Sequence, residues 1–184
     1  MDQKERRMYL LKYLLAENPQ AGIGRIPDEE KEQKALLRGL MNIRMPQPVS
    51  SDFLTVQDAY LKEEIASDGI VEMADLVPLQ SELYLWQGDI TRLKCDAVVN
   101  AANSRMLGSC YHSCLELAEE NGAESIAFCC ISTGEFHFPN DKAAEIAIKT
   151  VKEYKERTSS RIEVVFNVFK DRDKEIYRKL LTQN

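Results

Sequence analysis

Ser125–Ile131 is a run of seven mostly apolar residues bounded on both sides by polar ones. A run this short is too brief for a stable helix and has no alternation, which marks a strand buried on both faces of a sheet. Ile162–Val168 repeats the pattern. Two such strands separated by a helical stretch, Asp141–Glu156, constrain this part of the chain to a mostly parallel sheet with crossover helices.

From residue 81 onward the texture is strand and helix in alternation. Leu83–Trp86 and Ala97–Val99 read as further strands. Tyr111–Asn121 reads as a helix stopped by Asn121-Gly122, and Arg172–Leu181 as the last helix. This gives about four strands, with helices expected on both faces. Cys129 and Cys130 then alternate across the buried strand, where cysteine serves as a small packing residue.

Residues 1–80 contain no convincing strand. Met8, Leu10, Leu11, Tyr13, Leu14 and Leu15 belong to a first helix ending before Asn18-Pro19. A second opens near Asp28, with Leu36, Leu37, Leu40 and Met41 as its apolar face. Pro46 and Pro48 interrupt the chain. A third helix runs from Ser51 or Asp52 to Ala66, with Phe53, Leu54, Ala59, Leu61 and Ile65 expected inside. The division is therefore a helical extension over 1–80 and an α/β domain over 81–184.

The 184 residues carry a net charge of −6, with 44% hydrophobic and 29% charged residues. That balance argues against a general nucleic-acid or membrane-surface binder, either of which needs a basic face. An anionic ligand held by backbone amides needs no net positive charge. The chain has no apolar run long enough to span a membrane and no signal-peptide core after the charged stretch Asp2–Arg7. Its five cysteines follow no disulfide framework. Reduced thiols and a cytoplasmic location are the expectation.

Chemistry concentrates at strand ends. Gln87-Gly88-Asp89-Ile90 closes the first strand, and Asn100-Ala101-Ala102-Asn103 closes the second. Ser132-Thr133-Gly134-Glu135-Phe136-His137-Phe138-Pro139 follows the buried strand and leads into a helix. Phe166-Asn167-Val168-Phe169-Lys170-Asp171 closes the last strand. Taken singly, Asp89 and Asn103 read equally well as turn or cap residues, and Phe136, Phe138 and Phe169 as packing. In order, at the ends of parallel strands, they lie where open α/β sheets bind ligands.

In that order these four blocks resemble the macrodomain family, within its zinc-containing bacterial branch of protein-ADP-ribose hydrolases. The three-helix leader resembles that branch too. The resemblance implies a three-layer α/β/α fold and an ADP-ribose site. Asp89 would accept a hydrogen bond from the adenine amino group, beside the Ile90 amide. Asn103 would contact the distal ribose near the scissile bond, as the catalytic contact. Ser132, Thr133, Gly134, Glu135, Phe136 and His137 would form the second phosphate loop. Asn167 and Phe169 would line the adenine end, with Phe169 covering the base. The implied substrate is an ADP-ribosylated protein, for this branch a lipoylated carrier.

After Asn103 the resemblance breaks. In the zinc branch a loop follows with a Cys, a His and a second Cys as metal ligands, then further helix and two strands. Here Gly108 is followed directly by Ser109-Cys110-Tyr111-His112-Ser113-Cys114, which resembles the helix expected only after that block. The chain reads as internally deleted between 108 and 109. Cys110, His112 and Cys114 do not replace the lost ligands, since on a helix His112 lies about 200° around from Cys110. No metal site is expected. Hydrolysis should be reduced or lost, leaving an ADP-ribose-binding module or an inactive remnant as the alternative.

Overall fold

The computed structural model describes residues 1–19, 25–99, 107–131 and 138–182. It divides into two compact units, Met1–Gly69 and Ile70–Asn184.

The first unit is three helices: α1 (Gln3–Glu17), α2 (Glu30–Ile43) and α3 (Ser51–Asp68). A capping box opens α1, with the Asp2 side chain accepting from Glu5 N–H and the Glu5 carboxylate accepting from Asp2 N–H. Leu10, Leu11, Leu14, Leu37, Leu40, Phe53 and Tyr60 form its core. Arg7 is buried beneath it, and its guanidinium donates to Gln33 at 3.0 Å and Glu30 at 3.1 Å. Leu54 and Leu61, expected inside, are exposed. Phe53 and Tyr60 occupy the packed face instead, and each leucine sits one position, about 100°, around from them.

The second unit carries the sheet. Its elements are β1 (Val71–Glu72), β2 (Pro78–Gln80), β3 (Leu83–Gln87), β4 (Leu93–Lys94), β5 (Ala97–Val99), α4 (Leu107–Glu120), β6 (Ser125–Phe128), α5 (Asn140–Thr158), β7 (Glu163–Val168) and α6 (Asp171–Thr182). The order is β2-β3-β7-β6-β5, with β2 antiparallel at one edge and the other four parallel; β1 and β4 pair separately. The sheet thus has five strands rather than four. The extra strand, and β1, fall in residues read as strand-free. Both are too short to carry a periodic signal, and only pairing with β3 and β4 makes them strands. For the same reason the compact unit begins at Ile70, upstream of the expected boundary at 80.

On one sheet face Leu83, Ile126, Phe128, Val164, Phe166 and Val168 share a core with residues of α4, α5 and α6. On the other, Tyr84, Ala127 and Val165 pack with Leu93 and with the short segments around β1 and β4. Among the described residues of this unit, the α-helices α4, α5 and α6 therefore lie on one face. The path β5-α4-β6-α5-β7 steps in one direction through the sheet, so crossovers of one hand deliver α4 and α5 to the same side. Helix α4 begins at Leu107, earlier than expected, and ends where Gly122 adopts a positive φ of 71° and Ala123 N–H donates to Ala118 O at 3.0 Å.

β6 ends at Phe128, so Cys129 and Cys130 lie beyond the strand rather than within it. Among the described residues, β5 is the outermost strand of the parallel sheet. Val98 is exposed there, as is Leu117 on α4, beside a recess of about 650 Å³.

Candidate functional site

The four parallel strands end on one edge, because their register aligns Gln87 with Val168, Phe128 with Phe166, and Val99 with Phe128. The segments that follow β3, β5, β6 and β7 are the four blocks singled out in the sequence. Chain order alone scatters them over 80 residues or more; parallel pairing gathers them.

Asp89 follows β3 and is exposed. Its Oδ1 accepts from Thr91 N–H at 3.1 Å and from the Thr91 hydroxyl at 2.8 Å, which caps the short 3-10 turn Ile90–Arg92. One carboxylate oxygen is thereby fixed by the fold, and the side chain's orientation is set. Ile90 packs its side chain against the Tyr84–Val165 core. Its N–H, at the start of the turn, has no intrahelical acceptor.

Phe169 follows β7 and is 76% exposed, whereas Phe166 on the same strand is buried. A phenyl ring held that far into solvent gains nothing from the core, which is what a stacking platform for a flat base requires. Asn167 is buried, and its Nδ2 donates to Gly88 O at 3.0 Å. One of its two amide protons is therefore given to the β3 turn.

Helix α5 starts at Asn140, directly after the segment holding the expected phosphate loop, and α6 starts at Asp171 after β7. The Asn140 side chain bonds the buried Asp173 carboxylate, tying the two helix N-termini together at this edge. A phosphate in front of α5 would meet the unpaired N–H groups and positive end of its dipole. Phe138 is partly buried and packs against the main core. Asn103, Ser132, Thr133, Gly134, Glu135, Phe136 and His137 lie outside the described residues.

Burial pushes the Cys129 thiol up, and burial together with the Asp173 charge pushes Cys130 up to about 12. Neither thiol is set up as a nucleophile at neutral pH.

The residues at Cys110, His112 and Cys114 do not fit a zinc ion. All three lie within the unbroken helix α4. His112 Nδ1 sits 3.1 Å from Glu116 Oε2, its Nε2 faces the Arg157 guanidinium, and its ring stands edge-on to Tyr154. Both ring nitrogens are thus engaged. Among the described residues no three His, Cys, Asp or Glu side chains converge.

Sequence reasoning missed Asp173, which lies in no motif, and gave Gln87 no role of its own although it opens the first block; each matters through a partner more than 30 residues away.

A parallel sheet that carries an exposed acid, an exposed aromatic and a helix N-terminus along its C-terminal edge places this chain in the α/β class. The comparisons with known proteins narrow that class. The macro domain family pattern matches residues 95–147. A protein-ADP-ribose hydrolase of Treponema medium is 40% identical over 99% of this chain and 100% of its own length, and one of Staphylococcus aureus is 32% identical over 98% and 97%. The Treponema match extends over 261 aligned positions, whereas this chain has 184 residues; the relative carries several dozen residues that this chain lacks. A Trypanosoma brucei macrodomain solved with ADP-ribose shares the fold, with a TM-score of 0.60 at 21% identity over 74% of this chain and 92% of that one. This chain belongs to the macrodomain family.

Proposed function

We propose that this protein binds ADP-ribose, free or attached to protein, and derives from protein-ADP-ribose hydrolases with its own hydrolysis reduced or lost. The observation that carries the binding is the joint display of Asp89 and Phe169 at the ends of adjacent strands, in a chain 40% identical to a relative called a protein-ADP-ribose hydrolase. Asp89 accepts from the adenine amino group and Phe169 covers the ring. The N-terminal turn of α5 and the loop of Ser132–His137 meet the pyrophosphate. Asn103 reaches the distal ribose.

The short chain favours loss of hydrolysis. Cleaving the bond between ribose and the modified side chain adds water across it, giving free ADP-ribose and the unmodified protein. That step needs water held at the ribose and charge stabilised as the bond breaks. The zinc loop that the resemblance implies for these tasks would lie between β5 and α4, where this chain has only residues 100–106. With it missing, the adenine and phosphate contacts remain and the reacting end is stripped. A cytoplasmic location is the reading favoured by five cysteines whose spacing follows no disulfide framework. A lipoylated carrier protein is the substrate class that the resemblance suggests.

Calorimetry with ADP-ribose tests the binding, and release of ADP-ribose from modified protein, with and without zinc, tests the chemistry. The expected result is saturable binding with turnover at least a hundredfold below that of the Treponema relative. No heat of binding at millimolar ADP-ribose overturns the site. Turnover equal to the relative's overturns the loss of hydrolysis.

A further inference from the structure

Strands β3 and β7 exchange side-chain amides where they reach the ligand edge. Gln87, the last residue of β3, donates from Nε2 to Asp171 Oδ1 at 2.7 Å and to the Phe169 carbonyl oxygen at 3.3 Å. Asn167, near the end of β7, donates from Nδ2 to the Gly88 carbonyl oxygen at 3.0 Å, and Gly88 N–H donates to Val168 O at 3.0 Å. Each strand's amide thus satisfies a carbonyl in the other strand's turn, beyond the last rung of the ladder. Gly88 itself lies against the Trp86 ring so closely that a Cβ would stand 2.6 Å from Trp86 Cζ2. That ring is the floor of the turn, and the Asn167 amide holds it from the side.

The two laced turns are those that carry Asp89 and Phe169. We propose that Asn167 and Gln87 are positioning residues that set the spacing of Asp89 against Phe169, and thereby the preference for a base with an exocyclic amino group, without touching the ligand themselves. This rests on the ADP-ribose reading of the site. Asn167 is only 6% exposed and one of its two Nδ2 protons is given to Gly88 O, so the side chain is turned toward the β3 turn rather than outward. A part-buried carbonyl deprived of its donor loses the bond while still short of full hydration, so removing the amide should shift the turn toward water rather than leave it in place. Misplacing a recognition group by a fraction of an ångström is sufficient to lose most of its benefit.

The test uses the full chain with Asn167→Leu and Gln87→Met, each alone and combined with Asp89→Ala. Ligands are ADP-ribose and its hypoxanthine analogue, which has no amino donor. Amide exchange at Thr91, whose N–H bonds Asp89 Oδ1, is followed without ligand. Leu181→Ala serves as a control that lowers stability away from the turns.

Asn167→Leu is expected to weaken ADP-ribose about tenfold, to leave the analogue within twofold, and to add nothing in the Asp89→Ala background. Thr91 exchange should quicken tenfold or more, and not in Leu181→Ala at matched melting temperature. Losses that add to Asp89→Ala, or that fall equally on both ligands, overturn the proposal in favour of direct contact. If the unaltered chain binds neither ligand, the ADP-ribose reading fails, and Thr91 exchange alone decides: acceleration supports the lacing and no change overturns it. Should Asn167→Leu not fold, Gln87→Met, at the more exposed end of the exchange, is judged by the same readouts.

Discussion

Phe166 and Phe169 stand three residues apart on one strand and its exit, yet Phe166 is 1% exposed and Phe169 76%. The first packs against Tyr177, with ring centroids 5.3 Å apart, in the core beneath α6; the second has left the sheet. Their alanine variants should therefore separate stability from binding. Phe166→Ala should cost about 3–5 kcal/mol. Phe169→Ala should stay within about 0.5 kcal/mol in denaturant melts while weakening ADP-ribose by about 1–3 kcal/mol, the worth of one stacked base. A Phe169→Ala protein with unaltered affinity would remove the stacking role.

Asp89 presents a second separation. Its Oδ1 caps the turn through Thr91, so Asp89→Asn retains a neutral acceptor for the cap and loses the charge. A hydrogen bond to a charged group contributes about 1.5–3 kcal/mol. Calorimetry should show ADP-ribose weakened by about tenfold or more, with a melting temperature close to that of the unaltered chain.

Asp96 links the start of β5 to the start of β6. Its Oδ2 accepts from Glu124 N–H, Ser125 N–H and the Ser125 hydroxyl, at 2.9, 2.9 and 2.8 Å. The Ser125 hydroxyl first, then these two amides, hold its carboxyl below the usual 3.8. A depressed folded value stabilises the native state above the unfolded value and loses that contribution as pH falls through the folded one. Melting temperatures of the unaltered chain and Asp96→Ala should thus differ at pH 7 and converge below pH 3.8. A gap that persists undiminished in acid would show that the carboxylate charge is not the cause.

Cys130, pushed up to about 12, should alkylate slowly in the native chain. Relative to a thiol of ordinary pKa near 8.5, its thiolate fraction at pH 8 is smaller by about a thousandfold. Mass-spectrometric labelling with iodoacetamide should find Cys130 unmodified in the native state and fully modified in urea.

The outermost position of β5 predicts a solubility effect. Val98 on β5 and Leu117 on α4 are exposed beside a strand that, among the described residues, pairs on one side only, the arrangement that invites edge pairing. Val98→Lys should leave the melting temperature within a few degrees and raise the concentration at which light scattering appears on heating. Scattering that begins at the same concentration would mean that the edge is already protected.

Much of the fold was legible because its signals are local. Phe128, Val164 and Val165 declare buried strands by lying in short, mostly apolar runs, and Gly122 declares a helix end because the left-handed turn there favours a residue without a side chain. The site was legible as motifs for a related reason: Gly88-Asp89 and Phe169 follow strand ends, and strand ends are visible. Leu54 and Leu61 were not, since a helix with apolar residues on several faces does not say which face meets a partner. Asn167 was legible as a site residue but not in its role, because the carbonyl it serves is 79 residues away.

By itself the sequence determined the element types, the strand ends where Asp89 and Phe169 sit, and membership of a family whose motifs survive in order. Periodicity, turn chemistry and motif spacing are properties of a few neighbouring residues, and a single chain displays them in full. The tertiary structure alone decided that β1 and β2 join the second unit, that α4, α5 and α6 share one face, that His112 is engaged by Glu116 and Arg157, and that Gln87 and Asn167 lace the two turns. Each of these depends on which distant segment supplies the partner. That choice is made by packing and by the demand that buried polar groups be paired, and neither is written in any local stretch of the chain.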